Sequence, residues 1–357
     1  MKIKEITQEI RAKSLKKIKK KPIEKLAASW FQDDLMYSGK GKSIFLILPT
    51  PGCSWALSDS GGCTMCSYVS DCSLEPLDSH RIVETFLNHL ERYEITDETC
   101  IKMFASGSFL NPEELPLEAR NEILSILAGM PNISEIVVES RPEYVTENTL
   151  REIMSIIPDK LFEVSIGLES EDDYTREEKI NKGFSREDFE NAINSIISLK
   201  GQYNVKSKSY ILVKPILTSE KEAIDGAVKT ANYAYSVGVD RISFCPTTIH
   251  KGTLLERLWR TGAYQPPWIW STVEIINTVR RDLPIPALMD TSGFGSRRGP
   301  FNCKKCNKTL KNMIIDSNLT QGLIEGVECE CKNKWLGEVK FSNMNYSPTF
   351  TKYQEYE

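Results

Sequence analysis

Residues 43–66 read SIFLILPTPGCSWALSDSGGCTMC, a short apolar run that opens directly into a loop of three cysteines. The run Ser43–Leu48 has the near-continuous apolar character of a strand buried on both faces. Cys53, Cys63 and Cys66 follow with the spacing C-x9-C-x2-C. Three thiolates converging from one loop can hold three irons of a [4Fe–4S] cluster and leave the fourth iron open to a substrate or cofactor. Gly52, Gly61 and Gly62 give that loop the freedom to wrap a bulky inorganic core. A structural zinc knuckle is the competing reading, with Cys72 as its fourth ligand.

The same kind of run recurs downstream at 101–105, 135–139, 161–168, 207–217 and 241–245. Helical patterns lie between the runs. His80–Leu90 gathers Ile82, Val83, Phe86, Leu87 and Leu90 on one face. Ser185 with Asp188 and Ser219 with Glu222 mark helix starts. Roughly six such βα units predict an α/β fold with a parallel sheet; a closed or partial TIM-like (β/α)6 barrel, the form expected here, and an open doubly wound sheet both fit the pattern. The Pro- and Gly-rich stretch 284–300 ends this rhythm. Three regions are therefore expected: a basic N-terminal helical extension over 1–40, an α/β core over 41–290, and a Cys-containing C-terminal module over 291–357.

In a parallel α/β fold the chemistry collects at the carboxyl ends of the strands. Cys53 follows the first strand, and Ser106, Gly107 and Ser108 the second. Glu139 and Arg141 end the third, Glu169 the fourth, Lys214 the fifth, and Cys245 and Thr247 the sixth. Each has an ordinary alternative: a tight turn for Gly107, an ion pair for Glu139 with Arg141, a strand-end shield for Lys214. Their shared position favours a site for a charged nucleoside cofactor. The three histidines, His80, His89 and His250, form no metal or triad pattern.

Composition narrows the class. The chain has 357 residues with 40% hydrophobic content, enough for a large core. Its ten cysteines are clustered rather than spread, and the N-terminus lacks a secretory apolar core, so metal chemistry in the cytoplasm is expected in preference to disulfides. No stretch reaches the roughly 18 apolar residues of a membrane span. The net charge is −4, yet residues 1–25 hold ten Lys or Arg against three Glu. Such a run is either a nucleic-acid arm or a solvated helix face. The aromatic cluster Trp259, Tyr264, Trp268 and Trp270 suits a core better than base stacking. Cys303, Cys306, Cys329 and Cys331 make a second set, CxxC and CxC, for which a closed zinc site is expected and a second iron–sulfur cluster is the competitor.

Several segments carry a family resemblance. LPTPGCSWA at 48–56, GGCTMCSY at 61–68, RRGPFNC at 297–303 and the final CxC are similar to the archaeosine-biosynthesis radical S-adenosylmethionine (SAM) family, within the elongator-catalytic-subunit-like branch. Ala105–Phe109 resembles that branch's SAM-contacting glycine motif, and Glu139–Glu143 its acidic-Arg-Pro segment. Ser165–Ser170 with Ile180–Phe184 resembles its fourth-strand region. The resemblance implies a [4Fe–4S] cluster on Cys53, Cys63 and Cys66, and SAM held by Ser106, Gly107, Ser108, Glu139, Arg141 and Glu169. It implies tRNA as substrate and a lyase reaction that cleaves a C–N bond in a lysine-adducted 7-deazaguanine to leave archaeosine. A tRNA-lysine-adduct transferase subunit and an electron donor are the implied partners. Methylthiolation or a related modification, and a zinc-stabilised RNA-binding protein without catalysis, are the alternatives.

Overall fold

The computed structural model describes residues 2–342; the last 15 residues of the expected C-terminal module, 343–357, lie outside the described residues. The strands are β1 Ala28–Met36, β2 Gly39–Ile47, β3 Thr99–Phe104, β4 Ile133–Ser140, β5 Leu161–Glu169, β6 Val205–Val213, β7 Arg241–Pro246 and β8 Ala287–Met289. The helices are α1 Ile3–Leu15, α2 Ser54–Leu57, α3 Ser79–Leu90, α4 Leu117–Ala128, α5 Glu147–Ile156, α6 Arg186–Ile197, α7 Glu220–Val237, α8 Leu254–Arg260, α9 Ile269–Asp282, α10 Asn307–Thr320 and α11 Cys331–Lys340. All eight strands form one sheet in sequential order. β2 to β8 run parallel, and β1 pairs antiparallel with β2. The six strands expected from sequence are β2–β7, so the α/β partial barrel stands, flanked by one further strand on each side.

Alternation along the strands creates two environments. Ile44, Leu46, Ile101, Met103, Ile136, Val138, Phe162 and Val164 point outward into a core with α3–α6. Ile211, Val213, Ile242 and Phe244 do the same against α7, α9 and α10. The opposite face lines a polar lumen. Near its floor Glu163 meets Lys208 at 2.8 Å and Arg241 at 3.6 Å, and Lys102 pairs with Asp34. Five strands thus carry paired buried charges, and none can leave without stranding a charge.

Residues 1–40 depart from the expected helical extension. Only Ile3–Leu15 is an α-helix, and Ala28–Met36 is a strand whose hairpin with β2 spans residue 40. The C-terminal module shares a continuous core with the barrel, because Phe294, Leu310, Ile314 and Trp335 pack in one cluster with β6 and β7. Its helix α10 packs on both sheet edges, β1 and β8. Asn318 receives the Met289 backbone N–H at 3.0 Å and donates to the Met289 carbonyl at 2.9 Å, and Gln321 receives the Ala287 N–H at 2.9 Å. These amides satisfy the free ladder groups of an otherwise open edge.

Candidate metal and cofactor site

The cysteine loop is fixed mostly through its backbone. Arg11, buried on α1, donates Nε to the Gly61 carbonyl at 2.9 Å and Nη2 to the Cys66 carbonyl at 2.5 Å. Asn181 donates to the carbonyls of Ser60 at 3.0 Å and Gly62 at 2.7 Å. Asn181 itself takes a left-handed conformation, φ +62°, at the end of the π-helical turn Tyr174–Ile180. Gly62 is required sterically: its φ is +73°, and a Cβ there would stand 2.7 Å from the Ala56 Cα.

Glu114 joins this loop to the turn after β3. Its carboxylate accepts from the Ser54 N–H at 2.8 Å, the Ser54 hydroxyl at 2.7 Å and the Ser108 N–H at 2.5 Å. Gly107 sits in the crevice between them. A Cβ on it would fall 1.8 Å from Glu114 Oε2 and 3.0 Å from the Cys53 Cα, so close approach excludes a side chain there. The left-handed residue of the turn is Ser106, φ +57°. The cysteine loop and the Ser106–Ser108 turn are therefore one assembly.

Electrostatics around the thiols suit a metal. Burial pushes Cys53, Cys63 and Cys66 each up to about 11, with Glu114 adding to the effect at Cys53. Lys182 and Arg141 act in the opposite sense on Cys63. A bound cation would supply the charge that holds all three as thiolates. Cys72 does not complete a zinc knuckle with them. Among the described residues, only Cys303, Cys306, Cys329 and Cys331 bring their ligand atoms within 4.8 Å of one another. Cys72 is buried instead beside Thr50 and the Tyr68 carbonyl.

The other expected residues divide. Glu139 faces the lumen beside Tyr210, and burial pushes its carboxyl up to about 7. Glu169, φ +64°, pairs with Lys182 at 2.6 Å. Arg141 is not paired with Glu139. It donates to Glu143 at 2.5 Å and to the carbonyls of Lys182 and Gly183 at 2.8 and 3.0 Å, under Trp55 and Phe184. Lys214 leaves the candidate set, because it forms a buried pair with Glu220 at 2.5 Å. Tyr264, Trp268 and Trp270 are core residues, and Trp259 stacks under Arg298. His250 packs edge-on to Tyr68, with ring centroids 5.7 Å apart. Sequence reasoning did not single out Arg11, Glu114 and Tyr68. Lys182 and Asn181 lay within the quoted Ile180–Phe184 segment, but nothing in spacing marks a side chain that acts on another loop's carbonyls.

The second cysteine set is tight and closed. Cys303 Sγ lies 3.5 Å from both Cys306 Sγ and Cys329 Sγ, and Cys306 Sγ lies 3.5 Å from Cys331 Sγ. Zinc–sulfur bonds of about 2.3 Å in a tetrahedron put sulfurs roughly 3.8 Å apart. The thiolates of a four-iron cluster stand farther apart, since each projects outward from its own iron.

The fold and site together define an open, mostly parallel α/β barrel with three cysteines after its first parallel strand. No family model matches the chain. An uncharacterized protein of Methanocaldococcus jannaschii is 41% identical over 354 residues, 96% of this chain and 95% of that one. Archaeosine synthase subunit beta of Methanosarcina acetivorans is 36% identical over 92% of this chain and 94% of that one. Its counterpart from Thermococcus kodakarensis is 38% identical over 86% and 94%. The chain belongs to the archaeosine synthase subunit beta family. Among solved structures, an Elp3 of Methanocaldococcus infernus lacking its N-terminus aligns with TM-score 0.47 at 15% identity, over 69% of this chain and 60% of that one. Methylornithine synthase aligns with TM-score 0.47 at 12% identity, over 81% and 72%.

Proposed function

We propose that this chain is the radical SAM subunit of an archaeosine synthase, a lyase that cleaves the C–N bond of a lysine-adducted 7-deazaguanine in tRNA. The observation that carries this reading is the single assembly of Cys53, Cys63 and Cys66 with the Ser106–Ser108 turn at the lumen mouth. Membership of the archaeosine synthase subunit beta family supports the substrate. Cys53, Cys63 and Cys66 would hold a [4Fe–4S] cluster, which supplies the single electron that cleaves SAM when both are bound. The chain's own residues do the rest. Ser106, Gly107 and the carboxylates of Glu139 and Glu169 would present hydrogen-bonding groups to SAM, whereas buried Ser108 braces the turn, its N–H donating to Glu114 and its hydroxyl accepting the Arg141 N–H at 3.0 Å. Arg141 fixes the Lys182–Gly183 backbone, which positions Lys182 against Glu169. The interlocked charges of the lumen floor keep bulk water from entering below.

Zinc is the metal proposed for the Cys303, Cys306, Cys329 and Cys331 set, on the sulfur spacing. The lysines of residues 16–21 are proposed to meet tRNA phosphates. A lysine-adduct transferase subunit and an electron donor are the proposed partners, in the cytoplasm. Among the described residues no helix is long and apolar enough to cross a membrane.

The decisive experiment is anaerobic. Reconstituted protein, SAM, a reductant and lysine-adducted tRNA are expected to give 5′-deoxyadenosine and archaeosine in nucleoside mass analysis. Alanine at Cys53, Cys63 or Cys66 should abolish both products. Zinc in the first cysteine set with no SAM cleavage would instead identify a non-catalytic RNA-binding protein, and a methylthiolated nucleoside would identify the other alternative.

A further inference from the structure

The lumen has an unusual flank. Trp30 on β1, Phe45 on β2 and Phe104 on β3 point into it from three neighbouring strands. Trp30 and Phe45 are nearly parallel, with centroids 4.9 Å apart at 13°, Phe45 and Phe104 lie 6.0 Å apart at 27°, and Trp30 and Phe104 lie 6.4 Å apart at 14°, so the three rings form one cluster. Trp30 lies opposite Phe45 in the ladder, and Phe45 opposite Lys102, whose ammonium reaches into the lumen over the Phe45 ring. The row therefore faces the lumen and not the helical core. Trp30 remains 39% exposed, whereas the outward-facing residues of β2 and β3 are buried almost completely.

Its height in the barrel matters. β1 runs antiparallel, so Trp30 lies near the carboxyl end of β2, while Met36 lies at the other end. At that lower end the gap between the sheet edges is bridged: Arg241 donates to the Leu35 carbonyl at 3.0 Å and stacks on Tyr37 at 4.1 Å. Trp30 stands at the opposite end of β1. Phe104, in the same cluster, leads directly into the Ser106–Ser108 turn that Glu114 ties to the cysteine loop. The cluster thus stands beside the reactive mouth.

We infer that Trp30, Phe45 and Phe104 form a stacking wall for a nucleobase of the RNA substrate, drawn out of its own stack into the upper lumen. This rests on the tRNA reading above. Chemistry for a base-specific reaction inside a barrel requires the base to leave its stack, and a parallel aromatic surface replaces the contacts it loses. Charge complementarity favours RNA as the occupant. The segment leading into β1 carries the exposed Lys16, Lys17, Lys19, Lys20 and Lys21, and it is held along the loop after Cys66 by Lys20–Glu75 at 2.5 Å and Lys21–Asp71 at 2.7 Å. Phosphates held there would place a neighbouring nucleotide beside β1.

The test separates stacking from hairpin packing. Trp30→Leu keeps an apolar group against Phe45 but removes the ring; Trp30→Phe keeps a ring. With lysine-adducted tRNA, Trp30→Leu is expected to raise KM by roughly tenfold or more, and Trp30→Phe to recover most of that, at matched thermal midpoints. Equal KM in wild type and Trp30→Leu, or losses in both variants that follow their midpoints, would overturn the wall. Guanosine 5′-monophosphate gives an independent readout. The emission difference between wild type and Trp30→Phe should be quenched on its addition, and an unquenched difference would overturn the wall as well. If wild-type protein processes no tRNA, the proposed function falls, while the quenching measurement still decides the wall.

Discussion

Glu139 shows how one side chain couples the lumen to pH. Burial raises its carboxyl from 4.5 to about 7, although Tyr210, Lys208 and Lys182 all act to lower it. A folded-state value above the unfolded one means that the native protein binds the extra proton between those limits. Stability is then full below about pH 4.5, falls as pH rises toward 7 and stays level above. The effect is at most about 3 kcal/mol, reduced by solvent screening of the half-buried carboxylate. Glu139→Gln is neutral at every pH. It should flatten this dependence and raise the thermal midpoint relative to wild type at pH 8, as read by melts of the metal-loaded protein across pH 5–8. A wild-type profile already flat over that range would remove Glu139 as a buried, proton-holding group.

At the level of elements, α10 and α11 are positioned by the second cysteine set, in which burial pushes the Cys303 thiol upward and the hydrogen bond with Cys306 does the same to Cys331. Metal must displace those protons, so affinity should rise with pH, and purified protein should carry one zinc in addition to its iron. Cys306→Ser should release that zinc and lower the midpoint by several degrees, with iron content retained. Iron at these four thiols and no zinc would refute the assignment. These elements also show what the sequence makes legible. β2–β7 are readable because burial on both faces demands continuous apolar runs, and α6 and α7 because Ser185 with Asp188 and Ser219 with Glu222 form the capping boxes their spacing suggests. β1 escapes because an edge strand is not covered on both sides: Ala28, Trp30, Phe31, Gln32 and Asp33 are all exposed, so neither periodicity nor a hydrophobic run marks it. β8 is only three residues long and lies in a Pro-rich stretch. The thiols of both cysteine sets announce themselves by type and spacing. The groups that hold the first set, Arg11, Glu114 and Asn181, come from distant segments and act on backbone carbonyls and N–H groups, which leaves no local pattern.

Across the whole molecule the N-terminal segment serves two ends that a deletion would confuse. Arg11 pins the cysteine loop from α1, whereas the lysines of residues 16–21 lie exposed beyond it. Removing residues 1–25 would take away both, and a loss of tRNA binding could then reflect a collapsed metal loop. Point changes separate them. Changing Lys16, Lys17, Lys19, Lys20 and Lys21 together to Gln should leave iron content unchanged and weaken tRNA at low salt. Each phosphate contact contributes roughly 0.7–0.9 to the slope of log affinity against log salt. Because Lys20 and Lys21 already face Glu75 and Asp71, the expected drop in slope is about 2–3 rather than the full value for five contacts. Arg11→Met should do the reverse: it leaves the Gly61 and Cys66 carbonyls without their donor, lowers iron retention and leaves the salt slope for tRNA binding unchanged. An unchanged slope in the lysine variant would assign residues 16–21 to a solvated surface, and the RNA would then have to be steered to the lumen by another face of the barrel.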